Sequence, residues 1–223
     1  MTSNERILQP FTLPNGTELK NRLLMAPMTT CTGYFDGTVT SELVEYYRAR
    51  AGSIGTIIVE CCFIDDYGLA FPGAIGIDND EKIAGPAKIA EAIKAEGSKA
   101  ILQRYHGGRM VDPQLIGGRQ PVAPSAIAAP REGAAMPRAL SGEEVEGMIA
   151  KFGDGVRRAI LAGFDGVEIH GANTYLIQQF YSPNSNQRDD EWGGSRDNRA
   201  RFPLAVLDIT HKMARQYADD AFI

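Results

Sequence analysis

The chain has 223 residues, of which 43% are hydrophobic and 23% charged, and its formal net charge is −5. This composition is typical of a globular protein with enough apolar residues for a core. A negative net charge argues against a nucleic-acid partner. No apolar stretch reaches the ~20 residues that span a bilayer, and the N-terminus lacks a signal-peptide pattern. We therefore expect a cytoplasmic protein without a membrane partner.

The cysteines are Cys31, Cys61 and Cys62. An odd number that includes an adjacent pair is not a disulfide framework, and the spacing is not that of a zinc site. We predict that all three are small buried side chains and that the chain binds no metal.

The predicted elements begin with a β-hairpin over residues 7–19, which turns at Pro14-Asn15-Gly16. From residue 22 onward, short apolar strands alternate with amphipathic helices. Strands are predicted over residues 22–26, 55–61, 99–106 and 164–170, with the start of another at 221–223. Helices are predicted over residues 41–51, 82–96, 141–162, 172–181 and 198–217.

Strands that alternate with helices pair in parallel through crossover connections. Two α/β architectures fit this order, a doubly wound sheet and the first half of a (β/α)8 barrel. The glycine motif of a dinucleotide-binding fold does not follow the first strand. Polar residues instead stand at several strand ends, at Thr29, Gln103 and His170, as they do at a barrel mouth. The pattern favours a TIM barrel.

The connection over residues 107–137 is rich in glycine and proline and is longer than an idle loop, so we expect it to cover a site. His106, at its start, either binds an anion or shapes a turn.

Several polar residues at the strand ends are candidates for chemistry. His170 and Asn173, three apart at a strand-to-helix junction, can hold one oxygen and stabilise developing negative charge. Tyr175 can donate a proton to a carbanion or enolate. A backbone-bonded histidine and a core tyrosine fit the spacing as well. Gln103 suits a heterocycle with paired lactam groups or bonds to neighbouring backbone. The Thr29 hydroxyl either faces a ligand or caps its loop.

Four segments carry a further inference. They are LKNRLLMAPMT at 19–29, QRYHGGR at 103–109, HGANTYLIQQF at 170–180, and RDDEWGGS at 188–195 followed by NRARF at 198–202. Together they resemble the Old Yellow Enzyme family of FMN-dependent NAD(P)H:flavin oxidoreductases, and the resemblance runs nearly the length of the chain.

The resemblance implies a (β/α)8 barrel closed below by the hairpin, with FMN across its mouth and NADH or NADPH as reductant. The cofactor-binding residues would be Ala26, Pro27, Met28, Thr29, Cys61 and Gln103. The Thr29 hydroxyl would lie near flavin O4, and Cys61 would offer mainly its backbone. His170 and Asn173 would hold the oxygen of an α,β-unsaturated carbonyl or nitro compound. Tyr175 would protonate the α-carbon after hydride passes from flavin N5 to the β-carbon.

Two features depart from the family pattern. Arg104 and Tyr105 stand where relatives carry smaller or apolar residues, which we expect to change the packing or to admit charged substrates. The family's strand-five arginine and its phosphate-binding loops after strands seven and eight have no counterpart in 223 residues. We therefore expect residues 1–223 to form a single incomplete barrel domain of four βα units and the start of strand five.

Three functions follow as alternatives. The first is an ene-reductase or NADH:flavin oxidoreductase that acts on a small electrophilic alkene. The second is an enzyme similar to 2,4-dienoyl-CoA reductase. The third is a cofactor-free half-barrel fragment that assembles as a homo-oligomer or needs a complementary C-terminal half.

Overall fold

The computed structural model describes residues 3–223, with side chains from residue 5 onward. Its strands are β1 Phe11–Thr12, β2 Glu18–Leu19, β3 Leu24–Met25, β4 Thr56–Phe63, β5 Lys99–Tyr105, β6 Val122–Ala123, β7 Arg138–Ala139 and β8 Gly166–Ile169. Its helices are α1 Ser3–Ile7, α2 Ser41–Ala51, α3 Ala84–Ala95, α4 Gly142–Leu161, α5 Leu176–Tyr181 and α6 Arg196–Tyr217. None of these helices has the length and apolar character needed to cross a bilayer.

A parallel sheet in the order β3-β4-β5-β8 forms the centre of the fold. Helices α2, α3 and α4 make the crossovers between consecutive strands, so strands adjacent in this order along the chain are adjacent in space. Ile223 extends the sheet beyond β8, since its N–H donates to Asp165 O and its carbonyl accepts from Val167 N, both at 2.9 Å. The predicted order of four βα units is confirmed.

The predicted hairpin is present but shorter than expected. Strands β1 and β2 pair antiparallel around a turn in which Gly16 has a φ of +87°. Residue Ile7, the predicted start, belongs instead to α1. The hairpin lies against the end of the chain, where Thr17 Oγ1 donates to Ala221 O at 2.8 Å.

Local capping explains why two helices begin where the sequence predicts. Thr40 caps α2 by accepting a hydrogen bond from Leu43 N. At the start of α4, Ser141 and Glu144 form a complete capping box.

The connection after β5 is less regular. It contains short 3-10 turns and the parallel pair β6–β7, whose two-residue strands depend on long-range contacts and were not predicted.

The main core lies between the sheet and its helices. Phe152 of α4 packs against Phe202 of α6, with ring centroids 6.2 Å apart. Phe180 of α5 stacks on the same ring at 4.0 Å. All three are fully buried, so they fix the helices that follow β5 and β8 against one another.

Arg104 is a fully buried cation on the helix side of β5. Its Nη1 donates to Phe152 O at 2.8 Å and its Nη2 to Thr210 Oγ1 at 3.3 Å, while Nε has no partner in the described part of the chain. Successive side chains of a strand point to opposite faces, so Arg104 points away from the face that carries Gln103. The expectation that Arg104 admits charged substrates is therefore wrong.

Replacing Arg104 with methionine tests this arrangement. The Arg104 guanidinium is buried beside neutral acceptors alone, so folding must remove its water without an opposite charge in return. A methionine at this position avoids that desolvation cost. We expect the free energy of unfolding of Arg104→Met to stay level or to rise by about 1–4 kcal/mol, measured by urea denaturation of the intact protein. Thr210→Val keeps the Arg104 guanidinium and removes one of its acceptors, so this variant should have a lower free energy of unfolding. A loss of more than about 2 kcal/mol in Arg104→Met contradicts this account.

Candidate active site

The carboxyl ends of the parallel strands gather the predicted site residues at one edge of the sheet. We call this edge the mouth. It comprises residues 26–29 after β3, Cys61 in β4, Gln103 in β5 and residues 168–175 at and after β8.

The segment after β3 presents both apolar and polar groups. Ala26 is exposed, and the Met28 side chain is 57% exposed. Pro27 and Thr29 are half-buried. The Thr29 hydroxyl lies 2.9 Å from the Sγ of buried Cys61, close enough for a hydrogen bond in which either atom is the donor. The thiol of Cys61, and not only its backbone, thus takes part in the mouth.

Glu60 holds the same segment in place. This fully buried side chain accepts hydrogen bonds from Thr30 N and from the Tyr47 hydroxyl, both at 3.2 Å. Burial raises the pKa of Glu60, and it also raises the pKa of neighbouring Cys61 to about 11. Cys61 is therefore a neutral thiol at neutral pH.

Gln103 is paired with Glu168, a residue that the motifs did not single out. The two are register partners in β5 and β8, and Gln103 Nε2 donates to Glu168 Oε1 at 2.6 Å. Gln103 is 7% exposed and Glu168 is half-buried. A signal was available in the sequence, because Glu168 stands two residues before His170 and so shares its strand face.

His170 and Tyr175 are in direct contact. Both are 8% exposed, and their ring centroids lie 4.9 Å apart at an interplanar angle of 88°. His170 Nδ1 accepts from Ala172 N at 3.4 Å, so in the neutral ring the proton is on Nε2. Burial lowers the pKa of His170 and raises that of Tyr175 to about 12. At neutral pH the pair offers a neutral imidazole N–H and a protonated phenol.

Asn173 is not part of that contact. The predicted helix over 172–181 begins only at Leu176, and Asn173 and Thr174 adopt left-handed backbone conformations with φ of 53° and 62°. Asn173 is exposed. The helical spacing that suggested its pairing with His170 is therefore wrong. Left-handed backbone at a β-branched residue is strained, which is a feature of functional loops.

Gln179 of α5, also missed from the sequence, holds this strained loop. Its Nε2 donates to Thr174 O at 2.6 Å and to Gly107 O at 3.1 Å, and its Oε1 accepts from Arg109 N at 3.1 Å. The side chain is 1% exposed. A single buried amide thus joins the loop after β5 to the loop after β8.

His106 shapes a turn. It is fully buried, and its Nδ1 accepts from Gly108 N at 3.0 Å. Nε2 lies 3.8 Å from Asp65 Oδ2, which is beyond hydrogen-bonding distance. Burial lowers the pKa of His106 to about 4, so the ring is uncharged at neutral pH. An uncharged ring does not attract an anion. Of the two roles expected for His106, the structure therefore supports the shaping of the turn.

Two further predictions for this region have clear outcomes. Cys61 and Cys62 are buried as expected, but the prediction is wrong for Cys31, which is exposed in the loop after β3. Tyr105 is fully buried, with its ring 5.2 Å from that of Tyr175, and it fills the space behind that side chain.

A cavity of about 300 Å³ lies elsewhere, between β6–β7 and α4. Its charged lining groups are already paired, Arg138 with Glu144 and Lys151 with Asp65, each at 2.7 Å. The predicted site residues do not line it.

Acidification should destabilise the fold through His106. The folded pKa of about 4 lies below the ordinary value of 6.5, so between these values the unfolded chain binds more protons. The free energy of unfolding should fall by about 2 kcal/mol from about pH 7 to about pH 5 through this group. His106→Asn keeps an acceptor for Gly108 N and does not titrate, so urea denaturation should show a smaller loss. Equal losses contradict the assignment.

Comparison with known proteins shows what this chain is similar to. Residues 6–217 match the family described as NADH:flavin oxidoreductase / NADH oxidase. The chain is 99% identical over 223 residues to an NADH:fumarate oxidoreductase of Klebsiella pneumoniae, covering all of this chain and 24% of that protein. It is 56% identical over 218 residues to an NADH:acrylate oxidoreductase of Vibrio harveyi, covering 98% of this chain and 22% of that protein.

A solved structure of the old yellow enzyme homologue from Zymomonas mobilis superposes with a TM-score of 0.86 at 33% identity, covering 95% of this chain and 61% of that one. The predicted Old Yellow Enzyme resemblance and TIM-barrel fold are confirmed, and the chain forms part of such a barrel. It spans about a quarter of the two curated relatives, 24% and 22%.

Proposed function

Because this chain belongs to the NADH:flavin oxidoreductase / NADH oxidase family, we propose that the intact protein is an FMN-dependent oxidoreductase. It takes hydride from NADH or NADPH and transfers it to a small electron-poor alkene, either an α,β-unsaturated carbonyl or a nitro compound. The observation that carries this proposal is the direct contact of His170 and Tyr175, both uncharged, at the mouth.

The residues at the mouth provide the apolar surface and the hydrogen-bonding groups that an isoalloxazine ring needs. Ala26 and Met28 expose apolar surface suited to a flat ring. The Thr29 hydroxyl and the Gln103 amide supply groups that donate and accept hydrogen bonds, as the polar edge of a flavin requires. The proposed cofactor-binding residues are Ala26, Pro27, Met28, Thr29, Cys61 and Gln103. When bound, FMN would supply the centre that accepts hydride from the nicotinamide and gives it up to the acceptor.

His170 and Asn173 are the proposed oxygen-binding residues. The His170 Nε2–H is a neutral donor, and a neutral donor in a buried site stabilises negative charge that develops on an oxygen in the transition state. Asn173, on the exposed loop, can bring its amide to the same oxygen once a substrate is present.

Tyr175 is the proposed proton donor. Since burial raises its pKa to about 12, the hydroxyl keeps its proton at neutral pH. Phe71 and Tyr105 contact its ring edge-on at 6.3 and 5.2 Å and restrict its movement. A phenol held in this way can pass its proton to the α-carbon of an alkene.

The names of two relatives support this acceptor class. Fumarate and acrylate, after which they are named, are both alkenes conjugated to a carboxyl group.

His170→Ala should weaken the binding of a para-substituted phenol, whose oxygen would occupy the oxygen site, by about 10- to 100-fold, because a buried hydrogen bond is lost. FMN should stay bound, as read by flavin absorbance of the intact protein. His211→Ala, at an exposed position on α6, is the control and should bind the phenol normally. Unchanged phenol binding by His170→Ala would show that His170 does not hold the oxygen.

Tyr175→Phe should slow the reduction of fumarate or acrylate by about 10²–10⁴-fold, because the proton donor is lost. The rate at which NADH bleaches the flavin absorbance should not change. Tyr217→Phe, at a position 43% exposed, should leave both rates unchanged.

A second candidate function is favoured by the lengths of the relatives. This chain accounts for 24% and 22% of two proteins whose names share NADH and differ in the acceptor. Their common segment would then oxidise NADH, and the acceptor would be reduced elsewhere in the polypeptide. In that case Tyr175→Phe would leave fumarate and acrylate reduction at the normal rate.

A further inference from the structure

We propose that Glu168 is a positioning residue that fixes which way the amide of Gln103 faces at the mouth. The inference rests on the proposed function, because it assigns the group that Gln103 presents to the flavin.

The two side chains are held together by the sheet. Gln103 and Glu168 are register partners in adjacent parallel strands, so backbone hydrogen bonds fix the spacing between them. Gln103 Nε2 donates to Glu168 Oε1 at 2.6 Å. Gln103 is 7% exposed, which leaves it little room to turn away.

The chemistry of a carboxylate makes this contact directional. An ionised carboxylate only accepts hydrogen bonds, whereas an amide has one donating and one accepting end. The opposite orientation of the amide would place its carbonyl oxygen against the carboxylate. Glu168 therefore selects the orientation in which Nε2 faces β8.

The selected orientation determines what the mouth offers. With Nε2 held by Glu168, the Oε1 of Gln103 contacts no donor among the described side chains and backbone groups, and it is free to accept a hydrogen bond. A lactam ring presents an N–H beside a carbonyl, so it can satisfy Oε1 and the second amide hydrogen together. If the amide turned over, its oxygen would face the lactam carbonyl and its N–H would face the lactam N–H, so neither hydrogen bond could form.

Glu168 also brings a carboxylate to the mouth that has no cation beside it among the described residues. In the described part of the chain, no Lys, Arg or His nitrogen lies within 4.0 Å of its carboxylate. A negative charge beside a bound flavin disfavours added electrons, so it should lower the flavin reduction potential.

A double-mutant cycle in the intact protein tests the positioning role. Apoprotein is titrated with FMN while flavin fluorescence is followed. Glu168→Gln, which can face the amide in either orientation, should weaken FMN binding by about 10-fold or more. Gln103→Leu should weaken it too, and Glu168→Gln should then add little in the Gln103→Leu background. The same loss in both backgrounds, or no loss, would overturn the inference.

Two further variants separate orientation from charge and from folding. Glu168→Asp keeps a carboxylate but shortens the side chain, so the carboxylate no longer reaches the Gln103 amide. It should therefore weaken FMN binding as Glu168→Gln does. Only Glu168→Gln, which removes the carboxylate, should raise the reduction potential of the flavin. Normal binding by Glu168→Asp would overturn the positioning role even if Glu168→Gln misfolds. Glu91→Gln, exposed on α3, is the matched control. Failure of the unaltered protein to bind FMN would instead overturn the proposed function, and the inference with it.

Discussion

The register of the parallel sheet is the constraint on which the rest of the structure depends. Pairing of β5 with β8 sets Gln103 opposite Glu168 and Arg104 opposite Ile169. Because side chains alternate along a strand, this one register sends the amide and the carboxylate to one face and the guanidinium to the other. A shift by one residue would bring Arg104 to the mouth and bury Gln103 among the helices.

The mouth places three uncharged side chains, His170, Tyr175 and Cys61, in buried surroundings. His170, Tyr175 and Cys61 all have pKa values moved by burial in the direction that favours the neutral form. A neutral donor held in a buried site stabilises negative charge that develops on an oxygen during a reaction more than it stabilises the uncharged oxygen of the ground state. The apolar packing that buries these three side chains therefore also keeps them in their neutral forms at neutral pH.

Much of the fold and several of the site residues could be predicted from the sequence. Apolar runs located β4 and β5, the capping box located the start of α4, and the four motif segments indicated the family. The pair β6–β7 could not be predicted, because two-residue strands have no periodicity of their own. Asn173 was misplaced because helical spacing was applied to a loop. Glu168 and Gln179 were missed because their importance lies in partners 65 and 70 or more residues away along the chain.

The amide of Gln179 has a mechanical consequence. It bonds Gly107 and Arg109 on one side and Thr174 on the other, so one side chain ties together two loops from neighbouring strands. Thermal motion of the glycine-rich connection would be passed to the strained backbone beside Tyr175 without any distortion of the strands beneath. Replacing Gln179, which lies in α5 and in neither loop, would therefore release both loops at once.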